Sequence, residues 1–512
     1  MKIEVFQQEL EHNIKINIQT IINGYLSSNA DVCIFPECST IGYLPKDLLF
    51  NAQYIQSCLQ VNEEIISITG KKAIIFGSII YKEGKLYNAG IVAQDGKIIG
   101  ISTKRNLPNA GVFNESRYFT DGKPETVLIN GVNFALLICE DVWHCDSYKD
   151  LQSVDVFCAI NASPFEVCHT GKTKLQQRLD VIQKRVETFQ KPFIYCNGIG
   201  LYNGIVFDGN SFIFNGEFTR LPQFQQARYI FELSNNATTN YNIVQNIIAE
   251  KHNAIIYAIR KFFEQSRQQK AIVGFSGGAD SALVATLAMQ ALGKENVLCV
   301  GMPSKHTSRQ SIQDASTLAR NLEVQVKYID IQSLVDSYKK TLNLEGVALE
   351  NIQARIRGDI LMAISNQEQG LVLSTGNKSE VAVGYCTLYG DMCGAFNPIK
   401  DLYKTEVISM LKYINLGGKI IPESIIIKEP TAELRDNQKD SDSLPKYEIL
   451  DEILMQLIEN GRQPSEITNF DTILTEKIFS MLKGSEFKRW QACPGVKLSF
   501  KSFERDDWKF SL

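Results

Sequence analysis

Ala271-Ile272-Val273-Gly274-Phe275-Ser276-Gly277-Gly278-Ala279-Asp280-Ser281 is a short apolar run, then two adjacent glycines, then a serine opening the helix-forming stretch Ser281–Leu292. The apolar run reads as a buried strand, so the whole reads as strand, turn, helix of an α/β layer protein. Adjacent glycines let the backbone turn tightly and bring amide groups against an anion. The helix start adds N–H groups and a dipole that favour phosphate. Asp280 can hold a Mg²⁺ that bridges phosphate oxygens. This is not a Walker A loop, because no Gly-Lys-Ser/Thr follows. The only Gly-Lys-Thr, Gly171–Thr173, has Glu166 where that motif needs glycine. Taken alone, the hexapeptide also fits an ordinary turn with a serine cap.

Upstream of this strand, Ile255, Ile256, Ile259, Phe262 and Phe263 fall at helical spacing. Before them, the polar stretch Asn235–Asn242 reads as a linker, and a second α/β domain is expected over 246–512. The first 245 residues form their own α/β domain. Val32–Phe35, Lys72–Ile80, Val132–Ile138, Val154–Ile160 and Pro192–Cys196 read as buried strands, and Asp47–Ile68 and Lys172–Phe189 as helices. Downstream, Lys428–Pro445 is rich in charge and nearly devoid of apolar residues, as a mobile surface loop would be.

Composition closes off several classes. Lys+Arg is 53 against 57 Asp+Glu over 512 residues, with no basic half, so no nucleic-acid partner is expected. No apolar run suits a membrane span and no secretory leader is visible. The 12 cysteines are scattered, without Cys-x-x-Cys or a zinc spacing, and are expected as reduced thiols of a cytoplasmic protein.

The Ser-Gly-Gly-x-Asp-Ser signature resembles the PP-loop ATP pyrophosphatases, which cut ATP between the α and β phosphates. Further blocks narrow the resemblance: Met302-Pro303-Ser304, Glu350–Arg357, Thr375–Glu380, Gly384-Tyr385, Thr387–Asp391, Pro430–Leu434, Gln438–Asp440, Asp442–Pro445 and Lys488-Arg489. Together they are similar to the NAD synthetases, which amidate nicotinic acid adenine dinucleotide (deamido-NAD). The resemblance implies that Asp280 and Glu380 hold Mg²⁺. It implies that Ser276, Gly277, Gly278, Asp280, Ser281, Thr375, Lys404 and Thr431 bind ATP. Asn351, Arg355, Asp391 and Lys488 then belong to the deamido-NAD site, with Asp391 near the reacting carboxylate or the ammonia. Asn351 and Arg355, four apart on a predicted helix, share a face. The charged stretch Lys428–Pro445 is implied to close over the substrates.

In the first half, Glu37 follows the Val32–Phe35 strand, Lys104 precedes Arg105-Asn106-Leu107-Pro108, and Cys139 follows Val132–Ile138. A thiol that attacks an amide carbon, a carboxylate that moves protons and an ammonium that steadies the tetrahedral anion make a covalent hydrolase. The lysine is also expected to lower the thiol pKa. With Ile41–Leu49, Val112-Phe113, Arg117–Phe119, Ser163-Pro164-Phe165 and Val206–Gly209, the ordered trio resembles the carbon–nitrogen hydrolase (nitrilase) superfamily, in particular the glutaminase half fused to NAD synthetases. The resemblance implies that Phe113, Glu140 and Ser163 hold glutamine and that Glu115 assists the trio. It also exposes departures. Ala110 stands where a tyrosine is usual, Gly198 and Asn203-Gly204 replace polar or acidic residues, and Lys172 follows Ser163 at a longer spacing. Tyr202 is the candidate to replace the missing ring.

The expectation is an α/β protein: an N-terminal nitrilase-type α-β-β-α sandwich (1–245) and a C-terminal doubly wound parallel-sheet ATP pyrophosphatase domain (246–512). The implied activity is amidation of deamido-NAD with ATP, Mg²⁺ and ammonia drawn from L-glutamine, in a homo-oligomer. The alternatives are a synthetase fed by free ammonia, whose first domain is an inefficient glutaminase, and a PP-loop amidotransferase acting on another carboxylate.

Overall fold

The computed structural model describes residues 1–504 apart from 150, 152 and 235. Asn235, the first residue of the expected linker, and residues 505–512 therefore lie outside the described residues. The chain divides into two units. One comprises Met1–Phe165 and Lys172–Gln245; the other comprises Glu166–Gly171 and Asn246–Leu512.

Side chains on successive strand residues point to opposite faces, and in the first unit both faces are buried. One six-stranded sheet runs Ala227–Glu232, Lys2–Gln7, Val32–Ile34, Ala73–Lys82, Lys85–Gln94, Lys97–Thr103. The other runs Glu217–Arg220, Phe212–Asn215, Phe193–Asn197, Val156–Asn161, Val132–Ile138, Glu125–Ile129. Phe134, Leu136 and Ile138 meet Ile3, Val32, Ile34 and Ile75 of the facing sheet. Their neighbours Ala135 and Leu137 pack outward on Leu175, Leu179, Ile182 and Val186 of the Lys174–Phe189 helix. On the far side, Cys33, Ile74, Phe76 and Ile91 pack on Ile18, Ile21, Val61 and Ile65 of two helices, Ile14–Ser27 and Ala52–Ser67. The layers are α-β-β-α.

One expectation needs correction. Asp47–Ile68 is not one helix: Asn51 is extended, and its side chain accepts from Gln53 and Tyr54 N–H, so a short Lys46–Phe50 turn of 3₁₀ helix precedes Ala52–Ser67. A capping asparagine at this position restarts the helix. Within and just after the expected linker, Ala237, Tyr241 and Ile243 pack on the core that includes the Lys174–Phe189 helix.

In the second unit, four parallel strands lie in the order Gln325–Tyr328, Val297–Gly301, Ala271–Gly274, Leu371–Leu373. Helices Gln332–Leu342 and Gly346–Glu368 cover the face of Ile272, Leu298, Val300 and Val372. Ala279–Leu292 and, behind it, Ile247–Ser266 cover the other. The first strand of this sheet lies inside it, so the direction of winding reverses between Ala271–Gly274 and Leu371–Leu373. A crevice opens beyond the strand ends at such a switch point. Residues 166–171 join this unit through Val167, whose N–H donates to Leu498 O at 2.9 Å and whose carbonyl accepts from Phe500 N–H at 2.9 Å. No helix among the described residues is long and apolar enough to cross a membrane.

Candidate functional site

In the first unit, Glu37, Lys104 and Cys139 each follow the last residues of a strand. Glu37 is fully buried. Its Oε1 accepts from Lys104 Nζ at 2.8 Å and Asn88 Nδ2 at 2.7 Å, and its Oε2 from Ala162 N–H at 2.8 Å. Lys104, also fully buried, donates as well to Glu115 Oε1 at 2.7 Å. Tyr43 donates its hydroxyl to the same Glu115 oxygen. Gly77 makes this tightness feasible, because a Cβ there would lie 2.4 Å from Cys38 N and 2.5 Å from Glu37 Cα.

Cys139 opens the short 3₁₀ helix Cys139–Trp143 with φ +45°, a left-handed conformation uncommon for a residue with a Cβ. Burial raises its thiol pKa well above the usual value, Glu37 adds to the rise, and Lys104 opposes it. The expected lowering by lysine is therefore overridden. Burial thus favours the neutral thiol, and attack then requires a base to take its proton. For Lys104, burial acts to lower the pKa, but Glu115 and Glu37 outweigh it and keep the ammonium charged. Burial lifts Glu115 to about 7 against the pull of Lys104, and its Oε2 has no hydrogen-bond partner among the described residues.

Ser163 is buried and its hydroxyl accepts from Arg178 Nε at 3.1 Å. Arg178 also donates to Ser163 O, Pro164 O and Asp208 Oδ1. The basic residue that meets Ser163 is thus Arg178, not Lys172, which pairs with Asp180 at 2.7 Å. Phe113 and Tyr202 edge one apolar cluster that includes Tyr43, while Ala110 is exposed. Glu140 is half-buried and contacts His144 at 3.1 Å.

In the second unit, the helix begins at Ala279, two residues earlier than expected, with Gly278 as its N-cap. Ser281 therefore lies in the first turn, and its Oγ accepts from Ser276 N–H at 3.3 Å and donates to Gly278 O at 3.1 Å. Gly277 has φ +80°, and a Cβ there would lie 2.2 Å from Ser311 O. This position admits only glycine on both counts.

The loop opens on a cavity of about 290 Å³. Ser276, Gly278, Asp280, Ser281, Thr375, Glu380, Asp391 and Thr431 of the expected site line it. Gly277, Asn351, Arg355, Lys404 and Lys488 do not. Lys404 sits behind the wall, donating to Asp280 Oδ2 and, at 3.5 Å, to Glu380 Oε1. Asn377 Nδ2 donates to Asp280 Oδ1 at 2.9 Å. Burial lifts the Glu380 carboxyl to about 8, with Asp280 adding to the rise and Lys404 opposing it. Burial likewise lifts Asp391 to about 6, while the Thr387 N–H pulls it down. Asn351 accepts from the Thr387 hydroxyl at 2.9 Å and Arg355 donates to Leu388 O at 3.2 Å, so both touch the turn leading to Asp391. Lys488 donates to Gly384 O and Cys386 O, holding the turn after the Lys378–Val383 helix. No group of three or more His, Cys, Asp or Glu arranged to hold a metal occurs among the described residues. Asp280 and Glu380 both line the cavity and both pair with Lys404 Nζ, and carboxylates so placed suit a cation whose remaining ligands are substrate phosphates.

Two family models match the chain: carbon–nitrogen hydrolase over residues 5–228 and NAD synthase over residues 251–492. The glutamine-dependent NAD(+) synthetase of Acinetobacter baylyi is 39% identical, covering 96% of this chain and 95% of its own. The chain belongs to the glutamine-dependent NAD(+) synthetases. The Thermotoga maritima member is 37% identical over 98% of this chain and 96% of its own. The solved structure of the Acinetobacter baumannii member in complex with ADP is 34% identical, with a TM-score of 0.79 over 100% of this chain and 99% of that one. The Cytophaga hutchinsonii member, at 20% identity, shares the fold, with a TM-score of 0.83 over 100% of this chain and 97% of that one.

Three further residues at the two sites, Asn88, Asp440 and Arg357, carried no role in the sequence reading. Asn88 donates to Glu37, and its carbonyl accepts from Lys104 N–H at 2.9 Å, pinning both partners. Asn88 lies within the Lys85–Gln94 strand, and nothing in the sequence distinguished it from other polar strand residues. Asp440 accepts from Tyr447 and Tyr385 at the cavity wall. Arg357, also on the wall, donates through Nε to Met302 O at 3.1 Å, and burial lowers it to about 10. The stretch Lys428–Pro445, expected to close over the substrates, borders the cavity and makes contacts with the rest of the unit. Gln353 donates to Leu434 O, Ser311 and Lys428 donate to Glu433, and Thr431–Leu434 line the cavity.

Proposed function

We propose that the protein converts deamido-NAD, ATP, L-glutamine and water to NAD, AMP, diphosphate and L-glutamate. One observation carries this reading: a single chain holds both a buried Glu–Lys–Cys set and a switch-point phosphate loop opening on a carboxylate-lined cavity. In the first unit, Glu37 takes the Cys139 proton as sulfur attacks the glutamine amide. Lys104 steadies the tetrahedral oxyanion, and Glu37 returns the proton to the departing ammonia. Water, activated by the same carboxylate, then releases glutamate from the thioester. Glu115 keeps Lys104 charged, and Phe113, Glu140 and Ser163 border the glutamine.

In the second unit, a poor leaving group must become a good one. The deamido-NAD carboxylate attacks the ATP α-phosphorus and displaces diphosphate, and ammonia then displaces AMP from the acyl adenylate. Ser276, Ser281, Thr375 and Thr431 hold phosphate oxygens, with the amides of Gly277 and Gly278. Lys404 offsets phosphate charge, and Asn351, Arg355, Asp391 and Lys488 serve the deamido-NAD side. Asp280 and Glu380 would hold Mg²⁺, which neutralises charge accumulating on the triphosphate when bound. A homo-oligomer is part of the reading and is tested by light scattering. The decisive assay measures NAD and nucleotide products from deamido-NAD and ATP, with glutamine or ammonium as donor. AMP is expected with either. ADP with orthophosphate as products would overturn the pyrophosphatase reading.

A further inference from the structure

Lys104 directly follows a strand of one sheet of the first unit, and Cys139 directly follows a strand of the other. Among the described residues no strand pairing joins these sheets, and apolar side chains fill the space between them. Apolar packing is non-directional and does not by itself hold two reacting groups to a fraction of an ångström. A polar tie at the strand ends can do so. Glu37 provides one through Ala162 N–H, and Ser102 provides another by donating to Leu136 O at 2.7 Å. Neither reaches the segments that carry Lys104 onward and turn the chain at Cys139.

Asp141 does. Its carboxylate is fully buried. On the lysine side, Oδ1 accepts from Arg105 N–H at 3.1 Å, from Asn106 N–H at 2.9 Å and from Asn106 Nδ2 at 3.2 Å. On the cysteine side, Oδ2 accepts from Ile138 N–H at 3.3 Å. One carboxylate therefore grips the two residues after Lys104 and the residue before Cys139. Buried N–H groups left without an acceptor are costly, so these segments do not drift apart cheaply. Ser147, which donates to Asp141 at 3.4 Å and accepts from Asn106 Nδ2 at 2.7 Å, braces the lysine side alone.

We propose that Asp141 is the positioning residue that fixes the Lys104 ammonium relative to the Cys139 sulfur across the gap between the two sheets. This rests on the glutaminase reading above, and Asp141 itself touches neither substrate nor the reacting atoms. Misplacing a reacting group by about 1 Å costs on the order of 10²-fold in rate. Asp141→Asn keeps the size but turns an amide N–H₂ towards donors. In the full-length protein it should lower kcat for glutamine hydrolysis by about 10²-fold while KM stays within about threefold. Ser147→Ala should stay within about threefold of the parent in both.

A double-mutant cycle separates positioning from general loosening. Its readout is the pH profile of Cys139 alkylation by iodoacetamide, which remains measurable when catalysis is gone. Lys104→Ala should shift that profile to higher pH, Asp141→Asn should shift it the same way, and the double variant should match Lys104→Ala. If Asp141→Asn fails to fold by circular dichroism, Asp141→Glu carries the same cycle with the charge kept and the oxygens displaced. A kcat within threefold of the parent, a change confined to KM, or additive shifts in the cycle would each overturn the proposal. A parent that hydrolyses no glutamine would instead overturn the glutaminase reading.

Discussion

Each unit buries a lysine between two carboxylates, and the surroundings separate them. In the first, Lys104 lies between Glu37 and Glu115, and all three side chains are shut away from solvent. In the second, Lys404 lies between Asp280 and Glu380, and both carboxylates reach a cavity whose wall also carries Asp391 and Asp440. The first cluster holds its charges at fixed points away from solvent, which suits repeated proton transfer. The second adds Asp391 and Asp440 on the same cavity wall beside the Ser276–Ser281 turn. Under the proposed function, a bound cation would offset carboxylate and phosphate charge there. On the proposed function, the same three-residue motif would serve acid–base chemistry where it is closed and charge compensation where it is open.

The largest effect tests whether the two clusters are separable. Asp280→Ala should abolish NAD formation with glutamine and with ammonium, since adenylation precedes amidation by either. Cys139→Ala should lower glutamine-dependent synthesis by about 10³-fold or more. Millimolar ammonium at alkaline pH should restore it. Loss of the ammonium-dependent rate in a folded Cys139→Ala protein would break the comparison. Cys33→Ala, Cys38→Ala and Cys145→Ala should keep the glutamine-dependent rate.

Next in size is the loop beneath the open cluster. Gly277→Ala places a Cβ against Ser311 O at a left-handed φ. Adding backbone strain to overpacking predicts a loss of about 4 kcal/mol from the second unit, read by denaturant unfolding. An unchanged midpoint would mean that the loop yields.

The closed cluster has a pH signature. Burial lifts Glu115 from its ordinary 4.5 to about 7. A carboxyl raised on folding stabilises the fold below 4.5, and that contribution is lost as pH rises towards 7. Against Glu115→Gln, which cannot ionise, the parent should lose up to about 3 kcal/mol between pH 4.5 and 7 and then level off. Parallel curves would show that Lys104 holds Glu115 ionised throughout.

The smallest effect lies at the cavity mouth. Residues 428–445 should gain hydrogen-exchange protection when ATP and deamido-NAD bind, because Thr431–Leu434 and Asp440 line the cavity. Equal protection with and without ligands would end the closing role.

What the sequence alone determined was local. Strand-and-helix rhythm follows from side-chain period, so the strands around Ala135 and Ile272 were legible. The Ser276–Ser281 turn was legible because its glycines and serines act within six residues. Glu37 and Cys139 were legible as polar residues after strands, and Lys104 as a polar residue at a strand end or in a loop. Only the tertiary structure decided how these groups act on one another. Lys104 meets Glu37 across 67 positions and Lys404 meets Asp280 across 124. Ser163 takes Arg178 as its basic partner, and Asp141 and Asn88 are ordinary polar residues until folding buries them between strands. Burial also set the direction of the Cys139 thiol, against the expectation from a neighbouring lysine. Desolvation depends on every atom packed around a group, and no stretch of sequence contains that environment.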